Sequence, residues 1–129
     1  LISSGRQAGL RMAVASSSPE EWVTGHLTRL EMLACFDAIC TGSQVERVKP
    51  YPDVFQLAVH ALGLSPQEVV AFEDSANGVR AAKEAGLFCV VAPNRITRTL
   101  DFTAADLVVN SLEDVSLERL MTRFNRAAA

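Results

Sequence analysis

Three short stretches of this sequence carry polar groups that could act together on an anion. Ser16, Ser17 and Ser18 follow an apolar run and stand before Pro19-Glu20-Glu21. Hydroxyls and the free N–H groups of a helix start can both donate to a phosphate oxygen. The same serines also suit a plain turn, with Ser18 as N-cap, Pro19 at the first helical position and Glu21 at the third. Lys49 opens Lys49-Pro50-Tyr51-Pro52-Asp53, where two prolines stiffen the chain. An ammonium on that frame can neutralise a phosphoryl group, or it can be one more solvated charge. Glu73 and Asp74 lie side by side after Val69-Val70-Ala71-Phe72. Such a pair repels itself unless a cation or hydrogen-bond donors are present, and magnesium suits because it takes carboxylate oxygens and keeps most of its waters. Asp74 or Ser75 can also cap a helix beginning near Asn77, and the two roles are compatible.

The hydrophobic pattern supplies elements to hold these groups. Residues 10–18 read as a buried strand, followed by a helix to about Leu33 with Trp22, Leu27, Leu30 and Leu33 as its apolar positions. Residues 36–41 form a second short strand closed by Gly42. The lysine motif opens a helix of about ten residues carrying Val54, Phe55, Leu57, Ala58, Ala61 and Leu62, with Gly63 as its C-terminal cap. Ser65-Pro66-Gln67-Glu68 leaves room for one turn before the strand at 69–72, whose unbroken apolar run predicts burial on both faces. A helix follows over 77–85, with Val79, Ala82 and Ala85 on one side and Gly86 as its stop. Then come a strand at 88–91, a polar connection at 94–103, a short strand at 107–109 and a terminal helix from Ser116 to about Arg126. This alternation predicts an α/β domain with a mostly parallel sheet and right-handed crossovers. Ligands in such sheets collect beyond the carboxyl ends of the strands, where the serines and the acidic pair both lie.

Composition narrows the chemistry. The 129 residues, 49% apolar and 21% charged, suit one compact domain. With 12 basic and 15 acidic side chains, a net charge of -3 and no basic block, nucleic acid is not expected as a partner. No apolar run reaches the roughly 18 residues of a membrane helix, so a membrane is not expected either. Cys35, Cys40 and Cys89 are odd in number and form no C-x-x-C pair, which argues against zinc or a disulfide framework. They read as core residues in a reducing, cytoplasmic compartment. His26 and His60 read as surface or boundary side chains, and Trp22, Phe55 and Phe72 as packing. Neither G-x-G-x-x-G nor a Walker A sequence occurs. Leu1-Ile2-Ser3-Ser4 reads as the end of a helix with an earlier start, not as a targeting segment.

The order of hydroxyl turn, Lys-Pro-x-Pro-Asp and Glu-Asp-Ser-x-x-Gly after a strand resembles the haloacid dehalogenase superfamily, in particular phosphatases similar to β-phosphoglucomutase. The resemblance runs from about Gly9 to Asn110. Val14-Ala15-Ser16 matches the family's second motif, Lys49 its third, and Glu73 with Asp74 its fourth. It implies a Rossmann-like, mostly parallel sheet flanked by helices. It further implies phosphate binding by Ser16 and the backbone at Ser17, charge neutralisation by Lys49, and coordination of Mg2+ by Asp74, with Glu73 directly or through water. The family's first motif, Asp-x-Asp-x-[Thr/Val], provides the nucleophile and the acid/base, and no D-x-D occurs in this sequence. The substrate-selecting cap segment has no counterpart either. Residues 1–129 are therefore expected to be a single α/β core fragment, with the nucleophile strand and the cap upstream of it.

The implied function is a magnesium-dependent phosphatase acting on a small phosphorylated metabolite through an aspartyl-phosphate, inactive as this chain alone. A phosphomutase of the β-phosphoglucomutase type would use the same site, and a non-catalytic phosphate-binding or interaction domain would keep the fold without the nucleophile. A response-regulator receiver fits less well, because that family places its acidic cluster before its hydroxyl and lysine. In the resembled fold the first strand lies between the strands at 12–16 and 69–73. Without it, both edges are bare and invite self-association. A gap of about 9–10 Å is expected there, and a continuous ladder between the two strands would contradict it.

Overall fold

The computed structural model describes residues 1–128. The chain runs α1 (Ile2–Gln7), β1 (Ala13–Ala15), α2 (Glu20–Arg29), β2 (Ala38–Cys40), α3 (Asp53–Leu62), β3 (Val70–Glu73), α4 (Ala76–Glu84), β4 (Phe88–Val91), β5 (Leu107–Val108) and α5 (Leu117–Ala128). Short 3-10 turns occupy Leu33–Cys35, Gly42–Gln44, Pro66–Glu68 and Leu112–Asp114. Every strand pair is parallel: β1 with β2, and β3 with β4 with β5. Parallel neighbours need long crossovers, and α2 and α4 lie within two of them. The α/β class with a Rossmann-like parallel arrangement is as expected. No helix among the described residues is long and apolar enough to cross a membrane.

The strands form two sheets rather than one, and no ladder joins β1 to β3 among the described residues. Helix α3 spans the division. Its Phe55 and Val59 enter a core with Ala71 of β3, Val79 and Ala82 of α4, and Cys89 and Val91 of β4. Its Val54 and Ala58 pack instead with Cys40 of β2. The helix thus carries two adjacent apolar stripes, one for each sheet, on a wide buried face. Ala15, at the end of β1, packs on the larger core as well.

Local signals at α3 act as read: Gly63 closes the helix in the left-handed region at φ 62°, where a side chain would be strained. Ser65 and Glu68 form a reciprocal capping box over one 3-10 turn. Other expectations need correction. Ser18 does not cap α2; Pro19 takes the N-cap place, and the first helical N–H, of Glu20, donates to Ser43 Oγ at 3.1 Å. The helix stops at Arg29 because Glu31 turns into the left-handed region at φ 57°, so Leu33 falls in a separate turn. Trp22 is 62% exposed and Leu30 and Leu33 are exposed too, leaving Val23 as the buried residue of α2. Ala61 is exposed on α3. The strand at Val70–Glu73 is not buried on both faces, since Phe72 is 37% exposed. Cys40 and Cys89 are buried and Cys35 is half-buried, all three as free thiols.

Candidate active site

Ser16, Ser17, Lys49, Glu73 and Asp74 line one cavity of about 570 Å³ at the carboxyl ends of β1 and β3. The turn after β1 is held from two directions. Ser16 N donates to Cys40 O at 2.9 Å, which continues the β1–β2 ladder, and Ser16 Oγ accepts from Ser18 N at 3.1 Å. Ser17 Oγ accepts from Lys49 N at 3.2 Å, which ties the lysine loop to the serine turn. Gly42 N donates to Ser18 O at 3.0 Å. A methyl at Gly42 would overlap the carbonyl of Ser17, so only glycine allows this approach.

Lys49 joins the two sheets. Its Nζ donates to Ala15 O at 2.9 Å, at the end of β1, and to the Glu73 carboxylate, at the end of β3. The same ammonium lies 4.5 Å from the centroid of the Phe55 ring, a cation–π contact. The side chains of Lys49 and Glu73 are only 15% and 6% exposed, so each charge needs the other. Glu73 also accepts from Ser75 Oγ at 3.3 Å. Its carboxylate sits over Gly78, where a methyl would overlap it.

Asp74 is exposed, unlike its neighbour. Its Oδ2 accepts from Asn94 Nδ2 at 2.9 Å, and its main-chain carbonyl accepts from Thr97 Oγ1 at 2.6 Å. The helix start at the cavity belongs to α4, whose Asn77 lines it and whose N-cap Ser75 accepts from Gly78 N at 3.0 Å. Between the two capping options read from the sequence, Ser75 is the cap, which leaves the Asp74 carboxylate outside the helix. The expected contribution of α2 is corrected: its first N–H is taken by Ser43, and its first-turn residues do not line this cavity.

As a donor set, these residues fit part of a magnesium shell. Magnesium is held by one or two carboxylates and otherwise keeps its waters or takes phosphate oxygens. Asp74 offers one carboxylate beside the cavity, Glu73 is engaged by Lys49, and no group of three metal-binding side chains converges among the described residues.

Sequence reading missed the loop after β4. Asn94 and Thr97 follow a strand end, so the rule that singled out the serines and the acidic pair would also have flagged them. Phe72, read from the sequence as packing, and Leu112 both lie in the cavity's lining, and their meeting depends on residues far apart in the chain.

The chain is similar to known proteins in sequence and in fold. The chain is 42% identical over 124 residues to YhcW of Bacillus subtilis (strain 168), covering 96% of this chain and 56% of that protein. It is 34% identical over 113 residues to the validoxylamine A 7'-phosphate phosphatase of Streptomyces hygroscopicus subsp. limoneus, covering 85% and 51%. A crystal structure of a CbbY mutant from Rhodobacter sphaeroides, in complex with xylulose-(1,5)bisphosphate, superimposes with a TM-score of 0.86 at 38% identity, covering 90% of this chain and 53% of that one. The chain thus spans about half the length of the curated relatives it matches. Residues 1–92, which hold the serine turn, the clamped lysine and the acidic pair, match the model of the haloacid dehalogenase-like hydrolases, and the chain belongs to that family.

Proposed function

We propose that the polypeptide carrying this chain is a phosphoric monoester hydrolase for a small phosphorylated metabolite, with magnesium as its cofactor. The observation that carries the reading is the largely buried Lys49 ammonium, held between Ala15 O and Glu73 at a cavity that also presents Ser16, Ser17 and Asp74. Phosphoryl transfer asks mainly for positioning and for neutralising charge on the equatorial oxygens. The serine turn would orient the phosphoryl group through Ser16 and the backbone at Ser17. Lys49 would meet the charge that develops, and Glu73 fixes where that ammonium stands. Asp74 would hold the cation through Oδ1, with Glu73 reaching it through water. When bound, the cation would neutralise phosphoryl oxygens.

The attacking group in this reading is an aspartate carboxylate from outside this chain, on a strand seated between β1 and β3. It bonds to phosphorus as the ester P–O bond breaks, and the departing alkoxide takes a proton from a second carboxylic acid. Water then cleaves the aspartyl-phosphate and releases phosphate. The division of the sheet between β1 and β3 supports such a seat, and the chain taken alone would use those bare edges to self-associate. Three free thiols support a cytoplasmic setting.

The test is turnover of phosphorylated sugars by the full polypeptide, with free phosphate and isomerised sugar both followed. Phosphate release that depends on magnesium is expected; an isomer without phosphate would make it a mutase. Lys49→Ala and Asp74→Ala should each lower kcat by about 10² to 10³ or more, and Ser16→Ala by less, because it removes a neutral donor. Near-native turnover by either charged-residue variant would remove that residue from the mechanism. Multiple turnovers on p-nitrophenyl phosphate by purified residues 1–129 would overturn the outside nucleophile.

A further inference from the structure

The loop after β4 grips Asp74 from outside the cavity. Asn94 does not line the cavity, yet its Nδ2 donates to Asp74 Oδ2 at 2.9 Å. The direction of that amide is settled by its other end: Asn94 Oδ1 accepts from Ile96 N at 2.8 Å and from Thr97 N at 3.1 Å. Two backbone donors on one atom make it the oxygen, so the amino group must face the carboxylate. Thr97 completes the grip, its Oγ1 donating to Asp74 O at 2.6 Å and accepting from Asn94 N at 3.0 Å. Both the carboxylate and the main chain of Asp74 are therefore fixed, and Oδ1 accepts no hydrogen bond among the described residues.

We propose that Asn94 is a positioning residue that holds Asp74 as a one-oxygen ligand and so favours a small octahedral cation over calcium. This rests on the metal role proposed for Asp74. Magnesium takes single oxygens at about 2.0–2.1 Å in near-ideal octahedral geometry, whereas calcium accepts six to eight oxygens at about 2.3–2.6 Å and often takes both oxygens of one carboxylate. With Oδ2 held by Asn94, the carboxylate presents Oδ1 alone and cannot swing to offer both. Freed of Asn94 it could, and calcium would lose its disadvantage.

The test compares direct binding of Mn2+, as a stand-in for magnesium, with binding of Ca2+ by competition, in the full polypeptide. Free Mn2+ is read by its electron paramagnetic resonance signal. Asn94→Ser keeps an oxygen for the backbone N–H groups of the turn and removes the donor to Asp74. Loss of such an outer contact typically costs about 10- to 100-fold in metal affinity. Mn2+ affinity should fall by about tenfold while Ca2+ affinity falls less or rises, narrowing the Mn2+/Ca2+ ratio by about threefold or more. Asn94→Asp, which keeps the turn acceptor and sets a carboxylate against Asp74, should narrow the ratio too and serves if the serine variant does not fold. Equal loss for both ions, as from general loosening, or no change in either, overturns the proposal. Asp74→Asn separates the layers: unchanged Mn2+ affinity there defeats the metal role of Asp74, and this inference with it. A loss there, together with an unchanged ratio in the Asn94 variants, defeats only the inference.

Discussion

Gly78→Ala is a substitution that helix propensity alone would favour and that the site forbids. Gly78 stands in the first turn of α4. In a helix, alanine is favoured over glycine by up to about 1 kcal/mol. Here, however, the added methyl would overlap the Glu73 carboxylate, which holds Lys49. With the two side chains 6% and 15% exposed, pushing Glu73 aside leaves a nearly buried ammonium without its counterion. Complete loss of such a buried pair costs about 3–5 kcal/mol, so the net loss of stability should reach at most about 2–4 kcal/mol. Urea unfolding of the full polypeptide measures it, and phosphate release should fall by about 10²-fold as Lys49 leaves its place. Gly25→Ala, in the interior of α2 with open space around the position, should instead stabilise by about 0.5–1 kcal/mol and leave kcat unchanged. The reasoning turns on Glu73, so a cycle with Glu73→Ala decides it. In that background Gly78→Ala should be neutral or stabilising. A loss as large as in the native background would refute the account.

At the other wall of the cavity, Gly42→Ala should displace Ser17 and weaken inhibition by inorganic phosphate by about tenfold or more, read from the inhibition constant in turnover assays; an unchanged constant would mean that the serine turn does not hold the anion. Burial pushes the Cys89 thiol from 9.0 up to about 12, helped by the nearby charges of Glu73 and Asp106. A raised pKa places its stabilising contribution below pH 9, where both states are protonated, and removes it as pH rises toward 12. The slope is at most about 1.4 kcal/mol per pH unit. Cys89→Ala should therefore flatten the loss of stability above pH 9, measured by urea unfolding at stepped pH, and an unchanged slope would contradict the assignment.

Much of the secondary structure was legible because its causes are local. The reciprocal Ser65–Glu68 cap, the left-handed Gly63 and the apolar run of β4 depend on residues within a few positions of one another. The residue types of the site were legible for a related reason: each follows a strand end or stiffens a loop, and order along the chain distinguishes the constellation from its separate parts. Partnership was not legible. Lys49 meets Ala15 across 34 residues and Glu73 across 24, so nothing near Glu73 in sequence says that its carboxylate faces an ammonium rather than a metal ion. The same limit hid the grip of Asn94 and Thr97 on Asp74, and the serine from position 43 that replaced Ser18 at the start of α2. It also left Trp22 and Phe72 outside the core, because an apolar residue is buried only where another element arrives to cover it, and no described element covers those two. Sequence determined which groups stand at the ends of the strands; packing between distant segments decided which of them touch, and therefore which charge each one holds.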